Sequence, residues 1–216
     1  MKVVFGGYRE WAEGIASDLK AHTDHQIIHV RSKHELESTC LNEKNLIVLL
    51  AGWSWYVPPV ILEKNTVVGL HPSDLPEHAG GSPIQHQIID GLVDSKMTLF
   101  ELNEEYDRGY IIQKCDLDLR GSMKDIFSSL REAGTFLLMS FLKAYPKYEK
   151  HDQKDTKRVR KRLKPEDSEL TLEKFSSMTA RELYDFIRCR EDPYPNVFVQ
   201  DKTGRLCLKL VGFKSD

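Results

Sequence analysis

Two residues of this 216-residue chain, His71 and Asp107, sit in surroundings that point to chemistry. His71 ends an apolar run, Thr66 to Leu70, and opens the segment His71-Pro72-Ser73-Asp74-Leu75-Pro76, with Gly80-Gly81-Ser82-Pro83 close behind. Asp107 lies in Asn103-Glu104-Glu105-Tyr106-Asp107-Arg108-Gly109, just after another apolar run. Histidine ordinarily titrates near neutrality, so it can pass a proton or donate to an oxyanion, help worth about 10²–10⁴ in rate. A neighbouring carboxylate orients its ring. Ligands of open α/β sheets bind outside the carboxyl ends of the strands, where a histidine and an aspartate from two strand ends can share one cleft. A lone strand-end histidine is ordinarily structural. The joint context of Pro/Gly-punctuated loop and distant Asp-x-Gly is what argues for a site.

The elements that must position these residues read as alternating strands and helices. Lys2–Phe5, Gln26–Val30, Asn45–Ala51 and Thr66–Leu70 are short, β-branched-rich runs bounded by polar turns. Helices are expected over Trp11–Ala21 and His34–Cys40, over a short piece ending at Val60–Glu63, and over Ile84–Asp90 with Gly91 as its cap. That alternation predicts a mostly parallel, twisted sheet flanked by helices. Met97–Leu102 and Tyr110–Leu119 are further strands on either side of the Asp107 loop. Ser122 and Asp125 begin a long core helix to about Ala144, with Phe127, Leu130, Phe136 to Met139, Phe141 and Leu142 on its buried side. His151–Lys164, with seven Lys or Arg against two Asp, reads as a solvated linker. It divides a domain over 1–150 from an extension over 151–216. The extension holds a helix over Thr179–Cys189 and a hairpin, Val197–Gln200 and Leu206–Val211, turning at Asp201-Lys202-Thr203-Gly204.

Composition narrows the function class. A net charge of −2 gives no general reason to expect nucleic acid, and the basic linker lacks interleaved aromatics. No apolar stretch is long enough for a membrane span, and the chain opens on a strand rather than a signal peptide. Cys40, Cys115, Cys189 and Cys207 form no Cys-x-x-Cys pair, so a metal site is not expected and a reducing cytoplasm is the expected setting. Gly6-Gly7 follows the first strand, but the dinucleotide pattern G-x-G-x-x-G is absent. A tight turn at the edge of the site is the better reading.

The order of strand, His-Pro-Ser-x-Leu-Pro, glycine loop and later Asp-x-Gly resembles the folate-dependent formyltransferases, over nearly the whole chain. Lys164-Pro165-Glu166-Asp167-Ser168 and Glu191-Asp192-Pro193-Tyr194-Pro195 extend the likeness, most closely to the sugar N-formyltransferases. The resemblance implies a Rossmann-like domain and transfer of formyl from 10-formyltetrahydrofolate to an amine. It implies His71 as acid–base and oxyanion group, and Asp107 as its orienting partner and proton acceptor. For the donor it implies the backbone of Trp55-Tyr56-Val57, the loop Asn103, Glu104, Glu105, Tyr106, and Gly81. One position departs. The family places an asparagine two residues before the histidine, and this chain has Gly69. Losing one oxyanion donor costs about 10²–10³ in rate unless Asn65, Asn103 or Ser82 replaces it.

The resemblance further implies a small-molecule acceptor, a nucleotide-linked amino deoxysugar of bacterial surface-glycan synthesis, with Arg188 for its phosphate and Tyr194 for stacking. Both could equally be structural. Another small amine (a purine precursor or a peptide-synthesis intermediate) and a folate-binding module without catalysis stay open. So does a homodimer formed through the hairpin.

Overall fold

The computed structural model describes residues 1–154 and 159–214. Strand β1 (Lys2–Gly6) leads through helix α1 (Glu10–His22) to β2 (Gln26–Val30), and α2 (Lys33–Cys40) leads to β3 (Ile47–Ala51). Helix α3 (Pro59–Lys64), β4 (Thr66–His71), α4 (Pro83–Ile89), β5 (Asp94–Glu101), β6 (Ile111–Asp118) and α5 (Met123–Ala144) complete the main body. The six strands form one sheet in the order β2-β1-β3-β4-β5-β6. Pairing is parallel from β2 to β4 and antiparallel from β4 to β6. The expected α/β class and mostly parallel sheet are borne out. The chain leaves β1 towards β2 on one side and returns to β3 on the other, which makes the carboxyl ends of β1 and β3 the topological switch point.

Period-two alternation sends Val3 and Phe5 to one face and Val4 to the other, and all three are fully buried. The first face packs under α1 and α5, with Ile15, Leu19, Leu130 and Leu137. The second packs under α2 and α3, with Leu36 and Ile61. Helix α5 comes close because residue 134 is glycine: a Cβ there would stand 2.5 Å from Ile15 Cδ1 and 2.9 Å from Leu70 Cδ1. Its start is the expected one, a reciprocal capping box between Ser122 and Asp125. Phe136 departs from expectation. It is 57% exposed, because its position turns away from the sheet while Leu137 and Leu138 turn in.

The segment after α5 differs most from its reading as a solvated linker. His151 exchanges two backbone hydrogen bonds of 2.8 Å with Ile111, and Arg160 pairs with the glycine loop through Arg160 N–Ala79 O (2.8 Å) and Gly81 N–Arg160 O (2.9 Å). Unpaired backbone groups of the loop recruit the basic segment as a strap, which charge counting does not register. Beyond it come a 3₁₀ turn at Pro165–Ser168 and a short helix α6 (Leu172–Ser177), neither anticipated. Helix α7 (Ala180–Arg188) and strand β7 (Val197–Asp201) follow as expected, while the second hairpin strand, β8 (Gly204–Leu208), begins two residues earlier than expected and stops short of Val211. No helix of the described residues is long and apolar enough to cross a membrane.

Candidate active site

A cavity of about 630 Å³ opens at the carboxyl ends of β1, β3 and β4, within the range of small-molecule sites. Arg9 comes from the loop after β1, Gly52 to Val57 from the loop after β3, and His71 with Pro72 from the end of β4. The glycine loop, the loop after β5, the strap and Tyr194 close it. The glycines after β1 make a tight turn: a Cβ on Gly7 would lie 2.9 Å from Ala12 Cβ and 3.0 Å from the Ala51 carbonyl.

The loop after β4 is held by buried polar groups. Thr98 Oγ1 donates to the Ser73 carbonyl at 2.6 Å, Ser73 Oγ donates to the Glu77 carbonyl at 2.7 Å, and Leu75 is fully buried beside Phe100. Ser73 and Leu75 of the motif are therefore anchors, and they set the frame in which His71 stands.

His71 is buried, and its Nδ1 faces Asp107 Oδ2 at 3.5 Å. Its Nε2 lies 3.0 Å from the His78 carbonyl; a carbonyl only accepts, so that nitrogen carries a proton. Asp107 Oδ2 also accepts the Gly80 amide at 2.8 Å, which ties the acid to the glycine loop. Asp107 has φ +55, left-handed backbone that is uncommon outside glycine. Gly109 explains the Asp-x-Gly pattern, since a Cβ there would fall 1.6 Å from the Glu101 carbonyl. Gln153 donates to the carbonyls of Asp107 and Gly109 and holds this loop; the sequence reading missed it inside the supposed linker.

Trp55, Tyr56, Val57, Gly81, Asn103, Glu104, Glu105 and Tyr106 all line the same cavity. Trp53 and Trp55 form an aromatic wall of the cavity, with ring centroids 4.9 Å apart, and Tyr8 packs on Trp55 at 4.7 Å. Trp53 Nε1 is buried there without a hydrogen-bond partner. Gly81 is required by the strap: a Cβ would meet the Arg162 backbone at 2.5 Å.

Tyr194 also reaches the cavity, but its ring is engaged, 6.0 Å from Phe127 and 5.7 Å from the Arg9 guanidinium. Burial pushes its hydroxyl pKa up, against the lowering effects of Gln85, Arg9 and Arg162. Arg188 does not reach the site. It is 1% exposed and spends its guanidinium on Asp185 Oδ1 (2.6 Å) and the carbonyls of Leu119 (2.8 Å) and Gly121 (3.0 Å). The phosphate role expected of it is corrected accordingly: a guanidinium at the end of α7 is drawn into the body by buried carbonyls. The cavity's arginines are instead Arg9, Arg160 and Arg162, which residue spacing alone did not single out.

The departure at Gly69 has a packing counterpart. Gly69 pairs with Phe100 across the sheet, and a Cβ on it would stand 2.8 Å from Leu102 Cδ1 and 3.2 Å from Phe100. Apolar groups fill the space a side chain would take. Asn65 offers no substitute. It sits at the opposite end of β4, accepting the Leu46 amide at 2.9 Å and donating to the Ile61 carbonyl at 3.0 Å. Asn103 and Ser82 both line the cavity, with Asn103 Oδ1 accepting the Glu105 amide and Ser82 Oγ the Leu163 amide, each at 3.0 Å. Among the described residues no cluster of His, Cys, Asp and Glu could hold a metal.

A family model described as formyl transferase matches residues 4–142. A methionyl-tRNA formyltransferase of Rickettsia canadensis is 28% identical over 181 residues, covering 66% of this chain and 59% of the relative. The chain thus spans less than two thirds of that relative's length. The structure of a methionyl-tRNA formyltransferase from Clostridium thermocellum superposes with a TM-score of 0.86 at 26% identity, over 99% of this chain and 94% of the other. A sugar N-formyltransferase from a Shewanella species shares the fold, with a TM-score of 0.72 at 14% identity over 100% and 99% of the two chains.

Proposed function

Because the chain belongs to the formyl transferase family, we propose that it transfers a formyl group from 10-formyltetrahydrofolate to the amine of a nucleotide-linked amino sugar. The observation that carries the reading is the meeting of His71 and Asp107 inside one cavity with an aromatic wall. The cavity suits the donor: it offers an apolar floor of Leu50, Val57 and Leu102 and the unpartnered Trp53 Nε1 for a flat, amide-rich ring. Trp55 to Val57 and Asn103 to Tyr106 would hold that ring.

Bound there, the donor supplies the formyl carbon that the acceptor's amine attacks, and it departs as tetrahydrofolate. Asp107, kept in place by the Gly80 amide, receives the proton that the attacking nitrogen releases. His71, whose Nε2 keeps its own proton on the His78 carbonyl, takes the released proton from Asp107 at Nδ1 and passes it from Nδ1 to the nitrogen that leaves, so ring and carboxylate both return to their starting states. With Gly69 in place of a side-chain donor, the positive charge that His71 gains on taking the proton also offsets the charge of the developing oxyanion.

The sugar acceptor is supported by the Pro165–Ser168 and Asp192–Pro195 segments, which resemble the sugar enzymes, and by the arginines beside Tyr194. Methionyl-tRNA is the second reading, favoured by the relatives' own acceptor; with it, nucleic acid is readmitted as a partner despite the chain's net charge of −2. Tetrahydrofolate release, measured with a panel of amino-sugar nucleotides, glycinamide ribonucleotide and methionyl-tRNA, tests both. Release only with an amino-sugar nucleotide supports the first reading. Release only with the tRNA replaces it, and folate binding without turnover under any acceptor overturns both.

A further inference from the structure

The cavity holds two guanidiniums that meet no carboxylate among the described residues. Arg9 rests on the faces of Tyr8, at 5.1 Å, and Tyr194, at 5.7 Å. Arg162 Nη2 reaches Ser54 Oγ at 3.3 Å. Arg160, by contrast, is ion-paired with Asp90. Beside them Gln85 is 4% exposed, lines the cavity, and has an Nε2 without a hydrogen-bond partner. A buried amide donor left unsatisfied is destabilising, so an unpartnered Nε2 on a residue that lines a cavity marks a place for an acceptor oxygen.

We propose that Arg9, Arg162, Gln85 and Tyr194 form a subsite for a phosphate or diphosphate group of the acceptor. The donors come from four separate parts of the chain: the loop after β1, the strap, α4 and the loop before β7. Their convergence is a tertiary feature. The strap fixes Arg162 by backbone, through Gly81 N–Arg160 O at 2.9 Å and Leu163 N–Ser82 Oγ at 3.0 Å. Arg9 is also the N-cap of the 13-residue α1, and no side chain caps that end. Its free amides add positive potential beside the guanidinium. The carboxylates that line the cavity, Glu104, Glu105 and Asp107, all come from the loop between β5 and β6, not from the segments that bring the arginines. Planar guanidinium forks match tetrahedral phosphate oxygens, and two of them suit a doubly charged group. The inference rests on the proposed function only in giving the anion to the acceptor.

The test is calorimetric titration of the full chain with inorganic pyrophosphate, uridine diphosphate and thymidine diphosphate. Saturable binding is expected, weakened about 10-fold or more by Arg9→Met and by Arg162→Met, and unchanged by Arg205→Met on the hairpin. Failure of all three probes to bind, or binding by both cavity variants as tight as by the unaltered chain, overturns the subsite. So does capture of unfractionated tRNA where the diphosphates do not compete. Arginine-dependent diphosphate binding without formyl transfer to any acceptor would keep the subsite and refute the proposed function. Transfer with an unchanged acceptor KM in both variants would do the reverse.

Discussion

The side-chain amide of Gln153 donates to two backbone carbonyls of one loop, that of Asp107 at 2.9 Å and that of Gly109 at 2.8 Å. It thereby holds the aspartate in its left-handed conformation, while the Ile111–His151 pair brackets the same turn. Gln153 acts through Asp107 and is a positioning residue. Gln153→Ala is expected to lower kcat about 10-fold, from two lost hydrogen bonds of roughly 0.5–1.5 kcal/mol each. The acceptor KM should stay within about twofold, because uniform binding is untouched. A change confined to KM, or a loss of activity matched by global unfolding, would refute the role.

His71→Asn and Asp107→Asn should each reduce formyl transfer by about 10²–10⁴, the usual worth of acid–base help, with folate binding retained. The double variant should lose little more than the worse single one, since the two groups act on one proton path. Additive losses would separate their roles.

Gly69→Asn would return the family's side chain to a site that Leu102 and Phe100 have filled. Overpacking there should cost about 1–3 kcal/mol, read as a lower urea midpoint with unchanged slope. Combining it with Leu102→Ala should recover part of the stability and raise kcat. A stable single variant with unchanged activity would show that position 69 is not near the reacting atoms.

Acid should destabilise the fold through two histidines. Burial lowers the pKa of both His29 and His78 below the ordinary 6.5, although Asp90 pulls His78 the other way. Each folded-state ring therefore binds fewer protons than its unfolded counterpart around and below pH 6.5. The stability they support is present above that pH and lost as pH falls through their folded-state values. Thermal unfolding followed from pH 8 to 5 should show this decline. His78→Asn, which tolerates the φ of +53, should flatten it, and a slope unchanged in that variant would exclude His78.

Much of the scaffold was legible in order along the chain. Short β-branched runs are bounded by turns, and the capping signals at Ser122 and Thr179 are local chemistry that the structure reproduces as reciprocal hydrogen bonds. His71 was legible for the same reason, because a strand, a proline and a glycine loop announce where the backbone must turn. Arg188 was misassigned because a charge on a helix end looks alike whether it meets solvent or buried carbonyls.

By itself the sequence determined the alternation of strands and helices, the strand ends that carry His71 and the loop that carries Asp107. Those follow from hydrophobic period and turn chemistry within a few residues. Only the tertiary structure decided that Gln153 returns to the Asp107 loop and that Arg160 and Arg162 return to the glycine loop, and that Leu102 and Phe100 occupy the space beside Gly69. Hydrogen bonds and packing between residues far apart in the chain settle such matters, and no local pattern encodes which distant backbone group will be left to pair.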